Sequence, residues 1–199
     1  MRTIGFIHQK GGTGKTTLAI GTAMALAETG ARVLLMDADL QGTASEWGTR
    51  WGERWRVVVR SQILPVIHDQ AGRFGRTFDW MIVDGPPTVS EMTASIIRAA
   101  GEIVVPVRPS WPDIWALEHL FALHARLQTE ERAGGACVVW NQVVQPPTEA
   151  MVDQVKDWPC FVWPRQILWD AVWGTLMAGG QLPRDAGDEL RALAGRNGA

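Results

Sequence analysis

The sequence predicts an α/β fold, a three-layer sandwich in which a mostly parallel central sheet carries helices on both faces. Three observations predict it. Short apolar runs suited to buried strands alternate with helix-length amphipathic stretches, the pattern of repeated βαβ units. The first apolar run passes directly into a glycine-rich loop and then into a helix-length segment. Two further apolar runs, Arg32 to Met36 and Trp80 to Val83, are each followed by aspartate. In a parallel sheet such positions share the carboxyl end, where ligands gather.

In order along the chain, Thr3 to His8 is strand one and Thr16 to Glu28 a helix ended by Gly30. Arg32 to Met36 is the second strand, and Asp37 to Gln41 begins the loop beyond it. A helix follows from Ala44 to about Glu53, then a short strand, Arg56 to Val59, and a short helix, Ile63 to Ala71. Trp80 to Val83 is a buried strand that Asp84-Gly-Pro-Pro87 cannot continue. Ser90 to Ala100 is helical and Ile103 to Val107 a strand. Pro112 to about Glu130 is the longest helix, with Pro112 suited to its first turn. Ala136 to Val144 is a strand, Thr148 to Asp157 a helix, and Phe161 to Trp163 a last short strand. Ile167 to Met177 and Asp185 to Ala194 close the chain as helices. The 199 residues suit one domain, 1–199, without linker, repeat or low-complexity segment.

Composition removes several function classes. The hydrophobic share of 46% and charged share of 20% are those of an ordinary globular protein. No apolar run reaches the roughly 18 residues that would span a bilayer. The apolar stretch at the start is too short for a signal peptide, so a cytoplasmic location is expected. Cys137 and Cys160 sit in apolar contexts without metal spacing and read as buried free thiols. Net charge is −2, so any nucleic-acid surface has to be a local arginine patch: of 19 basic residues only Lys10, Lys15 and Lys156 are lysines. Eleven tryptophans without a tyrosine read as core or interface anchors. His8, His68, His119 and His124 have no ligand spacing and read as structural.

The chemistry is concentrated in three places. Lys10-Gly-Gly-Thr-Gly-Lys-Thr-Thr17 lies between a strand and a helix. There Gly11, Gly12, Thr13 and Gly14 let backbone N–H groups converge on phosphate at the positive end of the helix. Lys15 can reach the β and γ phosphates of ATP, the Thr16 hydroxyl can ligate Mg²⁺, and Thr17 completes the loop. The common pattern has glycine at position 9, where this chain has Gln9, and the chain has the extra Lys10. This is a P-loop NTPase signature. Asp37-Ala-Asp39 supplies two carboxylates at a strand end, able to hold metal-bound water and to orient an attacking water. A helix cap and turn would use the same residues. Trp80-Met-Ile-Val-Asp84 has the Walker B form, with its carboxylate near Mg²⁺, and Gly85-Pro-Pro87 can move with the γ-phosphate.

These motifs resemble, in order, those of the ParA/MinD family of deviant Walker A (SIMIBI) ATPases. Two later stretches add to the likeness: Val138-Val-Trp-Asn141, and Arg165-Gln-Ile-Leu-Trp-Asp-Ala171 followed by Ala178-Gly-Gly180. At this length the chain is similar to the small ParA-like subgroup. The resemblance implies a nucleotide sandwich homodimer formed on ATP binding, in which Lys10 crosses to the other subunit's phosphates. Lys15 would act on its own phosphates, Asp39 would position the hydrolytic water, and Asp37 would support Mg²⁺. Asn141 would read adenine, with Pro164 and Arg165 at the same nucleotide. Pro106-Val-Arg-Pro-Ser-Trp-Pro112 resembles a dimer-contact segment of small relatives. The chain departs from the family at Leu40, often proline, and at Gly85, often threonine or cysteine.

The expected function is a slow, switch-type ATP hydrolase that binds nonspecific DNA over the nucleoid. It would position a cargo such as a plasmid, a chromosome or a carboxysome, with an adaptor protein stimulating hydrolysis. Arg126, Arg132, Lys156, Arg191 and Arg196 are the basic residues of the late helices that a dimer could gather for DNA. A membrane is not expected, because the tail from Leu190 has two arginines and two leucines and ends in small residues. Three alternatives remain: a MinD-like membrane-associated ATPase, a metabolic P-loop enzyme of the dethiobiotin synthetase kind, and a metal-cluster carrier like the nitrogenase iron protein. The last two lack, respectively, a polar substrate cluster and a suitable cysteine pair.

Overall fold

The computed structural model describes residues 1–130 and 133–196. Its elements are β1 (Arg2–Phe6), α1 (Lys15–Ala27), β2 (Val33–Asp37), α2 (Thr43–Trp55), β3 (Val57–Ser61), α3 (Ile67–Phe74), β4 (Trp80–Asp84) and α4 (Glu91–Ala99). They continue with β5 (Glu102–Val107), α5 (Trp111–Trp115), α6 (Leu117–Thr129), β6 (Gly135–Trp140), α7 (Glu149–Lys156), β7 (Phe161–Val162), α8 (Val172–Met177) and α9 (Arg184–Gly195). The strands form one sheet, ordered β3-β2-β4-β1-β5-β6-β7, and its pairings are parallel.

The strand sequences explain the layering. β2 and β5 are buried at every residue, as strands covered on both faces must be. Alternate side chains of one strand feed opposite cores. Leu34 and Met36 pack with α3 to α7, whereas Val33 and Leu35 pack with α1, α2, α8 and α9. The Trp47 indole N–H donates to the Leu176 carbonyl at 2.9 Å and ties α2 to α8. β1 lies between β4 and β5, and the chain leaves it toward β2 on one side and returns to β5 on the other. That reversal opens a crevice at the carboxyl end of β1, where the glycine-rich loop sits.

Several segments differ from the sequence expectation, among them the helix expected over Ile63 to Ala71, which runs Ile67–Phe74. The long helix from Pro112 is two helices, α5 and α6, with a tightened turn at Ala116. β6 ends at Trp140, because Gln142 takes a left-handed backbone with φ 54°. The helix expected from Ile167 begins only at Val172. Residues 167–169 are instead extended beside the segment after β6. Ile167 N–H donates to the Trp140 carbonyl, Val143 N–H to that of Ile167, and Trp169 N–H to that of Val143. Backbone pairing with a neighbouring segment overrides the local helical pattern there.

Candidate functional site

Ile7 to Gly14 connect β1 to α1. Gly12 and Gly14 have φ of 75° and 92°, a region that glycine enters without steric cost. A Cβ at Gly14 would also collide with the Asn141 amide. Asn141 Nδ2 donates to the Thr13 carbonyl at 2.7 Å and Gln142 Nε2 to the Gly12 carbonyl at 3.0 Å. Two loop carbonyls are thereby tied back toward β6, which leaves the N–H groups at the start of α1 to meet an anion. The first turn of α1 has no acidic residue to compete for that place.

Lys15 is 6% exposed, and its Nζ donates to the Lys10 carbonyl at 3.0 Å. Burial lowers its pKa, against the pull of Asp84 and Asp39. Asp37 and Asp84 stand opposite each other across β2 and β4. Asp37 is engaged by backbone: its carboxylate accepts Asp39 N–H at 3.2 Å and Ser45 N–H at 2.7 Å. The Asp39 carboxylate accepts Gln41 N–H at 3.0 Å and is half-buried. Asp84 is fully buried, and neither of its carboxylate oxygens completes a hydrogen bond. Burial pushes its pKa up to about 7; the nearby Thr16 hydroxyl and Lys15 oppose the shift, while Asp37 and Asp39 add to it.

A buried carboxylate without a completed hydrogen bond, beside a threonine hydroxyl and a second carboxylate, is a place that a hard cation would complete. Among the described residues no group of three or more His, Cys, Asp or Glu converges to hold a metal alone. The residues therefore fit Mg²⁺, which Thr16, Asp84 and Asp37 would hold together with the phosphates of a bound nucleotide.

Beside Gly14 lies a cavity of about 320 Å³, bordered by Thr17, Asn141, Gln142, Trp169, Ala171 and Trp173 among others. Trp169 is 62% exposed at its rim. Gln142 and Trp169 were not legible as site residues. The excess of tryptophan was the available signal, and it does not point to any one of the 11. Asn141 borders this cavity, but Pro164 and Arg165 do not. Arg165 pairs with Glu189 at 2.6 Å and borders a neighbouring cavity of about 400 Å³ against α9.

Lys10 sits at the rim with its side chain 38% exposed, 3.4 Å from the Asp113 carboxylate. Asp113, 1% exposed, is gripped by Arg108 at 2.6 and 3.0 Å. Burial would raise its pKa, but the hydrogen bonds and charge of Arg108, with Lys10 adding to them, hold it below the usual carboxylate value. These residues place Pro106 to Pro112 beside the phosphate loop. His8 accepts Lys10 N–H through Nδ1 at 2.9 Å, and burial takes its pKa down to about 4, so it stays neutral. The departure at Gly85 has a steric reason: a Cβ there would lie 2.8 Å from the Phe6 carbonyl oxygen and from the Ile7 side chain.

The basic residues of the late helices are mostly neutralised. Lys156 pairs with Asp153, Arg191 with Glu28 and Asp188, and Arg196 with Glu102. Arg126 is exposed, and Arg132 lies outside the described residues.

Residues 1–69 match a family model described as an AAA domain. The chromosome-partitioning ATPase Soj of Thermus thermophilus is 35% identical over 163 residues, which span 67% of this chain and 64% of that protein. The chain thus spans less than two thirds of Soj. The maintenance of carboxysome distribution protein A of Halothiobacillus neapolitanus is 32% identical over 155 residues, 75% of this chain and 69% of the relative. The MinD cell division protein of Aquifex aeolicus has the same fold, with a TM-score of 0.77 at 18% identity over 98% of each chain.

Proposed function

The chain belongs to the ParA/MinD family of deviant Walker ATPases, and on that footing we propose that it is an ATP-driven positioning switch. It binds ATP with Mg²⁺, closes with a second copy over the two nucleotides, and hydrolyses slowly. That cycle would move a plasmid, a chromosome or a protein cluster over DNA, with an adaptor protein speeding hydrolysis.

The observation that carries this reading is the unequal placement of two lysines in one loop. Lys15 is buried against the loop backbone, next to Asp84 and Asp39. It serves the phosphates of its own subunit. Lys10 points from the rim, half-exposed, and is not needed for that task. A second cation offered at the rim fits a γ-phosphate bound by another copy. Bound Mg²⁺ would neutralise charge between the β and γ phosphates. Thr16 and the loop N–H groups hold the phosphates, Asp84 and Asp37 anchor the metal's water, and Asp39 orients the attacking water.

DNA is favoured over a membrane surface by α9. Its Leu190 and Leu193 are buried against α1, so among the described residues the last helix has no apolar face left to insert. No helix among the described residues is long and apolar enough to cross a membrane.

Light scattering with a non-hydrolysable ATP analogue tests the switch. Wild type should double in mass with the analogue and not with ADP, and Lys10→Ala should remain monomeric with both. Equal dimerisation of the two proteins would remove Lys10 from the interface.

A further inference from the structure

We infer that the DNA backbone is held on the free edge of the sheet by Arg54, Arg56, Arg60, Arg73 and Arg76, and not by the late helices. This rests on the DNA-binding reading above. Residues 50–76 contain six arginines against two acidic residues, Glu53 and Asp69, whereas the rest of the chain has 13 basic and 19 acidic residues. A slightly acidic protein therefore carries one strongly basic region.

The fold gathers that region. β3 is an edge strand that pairs only with β2. The last turn of α2 brings Arg54 to its start, and Arg56 caps that helix with φ 55°, a left-handed backbone that an arginine rarely takes. Arg60 lies on β3 with its guanidinium over the Phe74 ring at 5.7 Å, which joins the strand to the last turn of α3, where Arg73 sits. Arg76 follows in the turn toward β4. All five are exposed, and among the described residues none has a carboxylate partner. Their neighbours Arg50 and Arg32 are paired, with Glu46 and Asp79. Elsewhere the described arginines without a carboxylate, Arg2, Arg126 and Arg184, stand on separate elements.

Charge on an edge strand also deters strand addition. That would account for Arg60, but not for the four arginines off the strand. Unpaired guanidinium groups spread over a surface, without a reading helix, suit phosphates of any sequence. The patch is also compatible with the switch. Arg56, Arg73 and Arg76 lie toward the amino ends of the strands, opposite the phosphate loop, so a second copy closing over that loop leaves them open. One copy offers few phosphate-binding groups and two copies double them, so affinity should rise steeply on dimerisation.

The test is a mobility shift on random duplex with the ATP analogue across a salt series. The variants are Arg54→Ala/Arg56→Ala/Arg73→Ala, Arg73→Ala/Arg76→Ala and, for comparison, Lys156→Ala/Arg191→Ala. Light scattering checks that each still dimerises. The triple variant should bind at least tenfold more weakly, with the slope of log affinity on log salt reduced by about 0.9 for each phosphate no longer neutralised. The double edge variant, confined to the end of α3 and the turn beyond it, should bind several-fold more weakly even if the triple folds poorly. The Lys156/Arg191 pair should stay within about twofold of wild type. If both edge variants bind as wild type while the late-helix pair no longer binds, the edge assignment falls and the DNA reading stands. If wild type itself gives no shift at low salt and instead binds anionic phospholipid vesicles, both fall together.

Discussion

On the phosphate side of the nucleotide site, Gly11 to Thr17 form one continuous stretch whose shape is set by backbone: two left-handed glycines and the start of α1. On the side where Asn141 would meet a base, the cavity is bordered by side chains from separate segments, Asn141 and Gln142 after β6 and Trp169 to Met177 around α8. The phosphate side needs particular residues at fixed spacing, because conformation and charge are both prescribed. The base side needs only a flat apolar surface and a few polar atoms, which many residues can supply. Substitutions on the phosphate side should therefore abolish function, and those on the base side should weaken it.

The largest expected effect is Asp39→Ala. Its carboxylate is half-buried and, among the described residues, hydrogen-bonded only by the Gln41 N–H, while Lys15, Thr16 and the loop remain intact. Turnover should fall about 100-fold or more, the scale of a missing acid–base or water-orienting group. ATP binding and dimerisation should persist. Loss of nucleotide affinity in a folded variant would instead make Asp39 a metal-binding group.

Asp84 should show its cost in stability. Its pKa is about 7 in the folded protein and 3.8 unfolded, so the folded state binds the proton more tightly. The stability this group contributes is complete below the unfolded value and is lost as pH rises through the folded one. The apo protein should melt several degrees lower at about pH 8 than at about pH 6, at roughly 2–4 °C per kcal/mol. Asp84→Asn should flatten that fall and raise the apo melting temperature at the higher pH, while losing Mg²⁺-dependent hydrolysis. A wild-type melting temperature that does not change across this range would contradict the raised pKa.

The same contrast decides what the sequence could reveal. The layering follows from apolar runs that must be buried on both faces, and the meeting of Lys15, Asp37 and Asp84 at one end of the sheet follows from motifs with fixed spacing, whereas the strand order depends on long-range pairing that no local pattern carries. The helix start at Val172 was not legible, because long-range pairing of Ile167 and Trp169 with the segment after β6 competes with local periodicity. Nor was the role of the late-helix cations. Whether Arg196 is a free charge depends on Glu102, a residue distant in sequence. Trp169 lies within the Arg165 to Ala171 stretch, but at a position that stretch does not specify: only the fold shows that it and Trp173 border the cavity.

Trp169 offers the finest test of the contrast. Its ring is exposed at the rim of the cavity beside Gly14, and its N–H donation to the Val143 carbonyl fixes the backbone that presents it. A base entering the cavity would stack on an indole whose backbone is already fixed, which removes part of the ordering cost of the contact. Stacking of a base on an aromatic ring contributes roughly 1–3 kcal/mol, so Trp169→Ala should weaken ATP binding about tenfold. Binding of inorganic tripolyphosphate, which has no base, should not change, because Lys15 and the loop N–H groups are untouched. Quenching of tryptophan fluorescence by ATP should diminish in the variant for the same reason. Equal losses for ATP and tripolyphosphate would mean that the substitution disturbs the loop through Asn141 and Gln142, and that the two sides of the site are one cooperative unit.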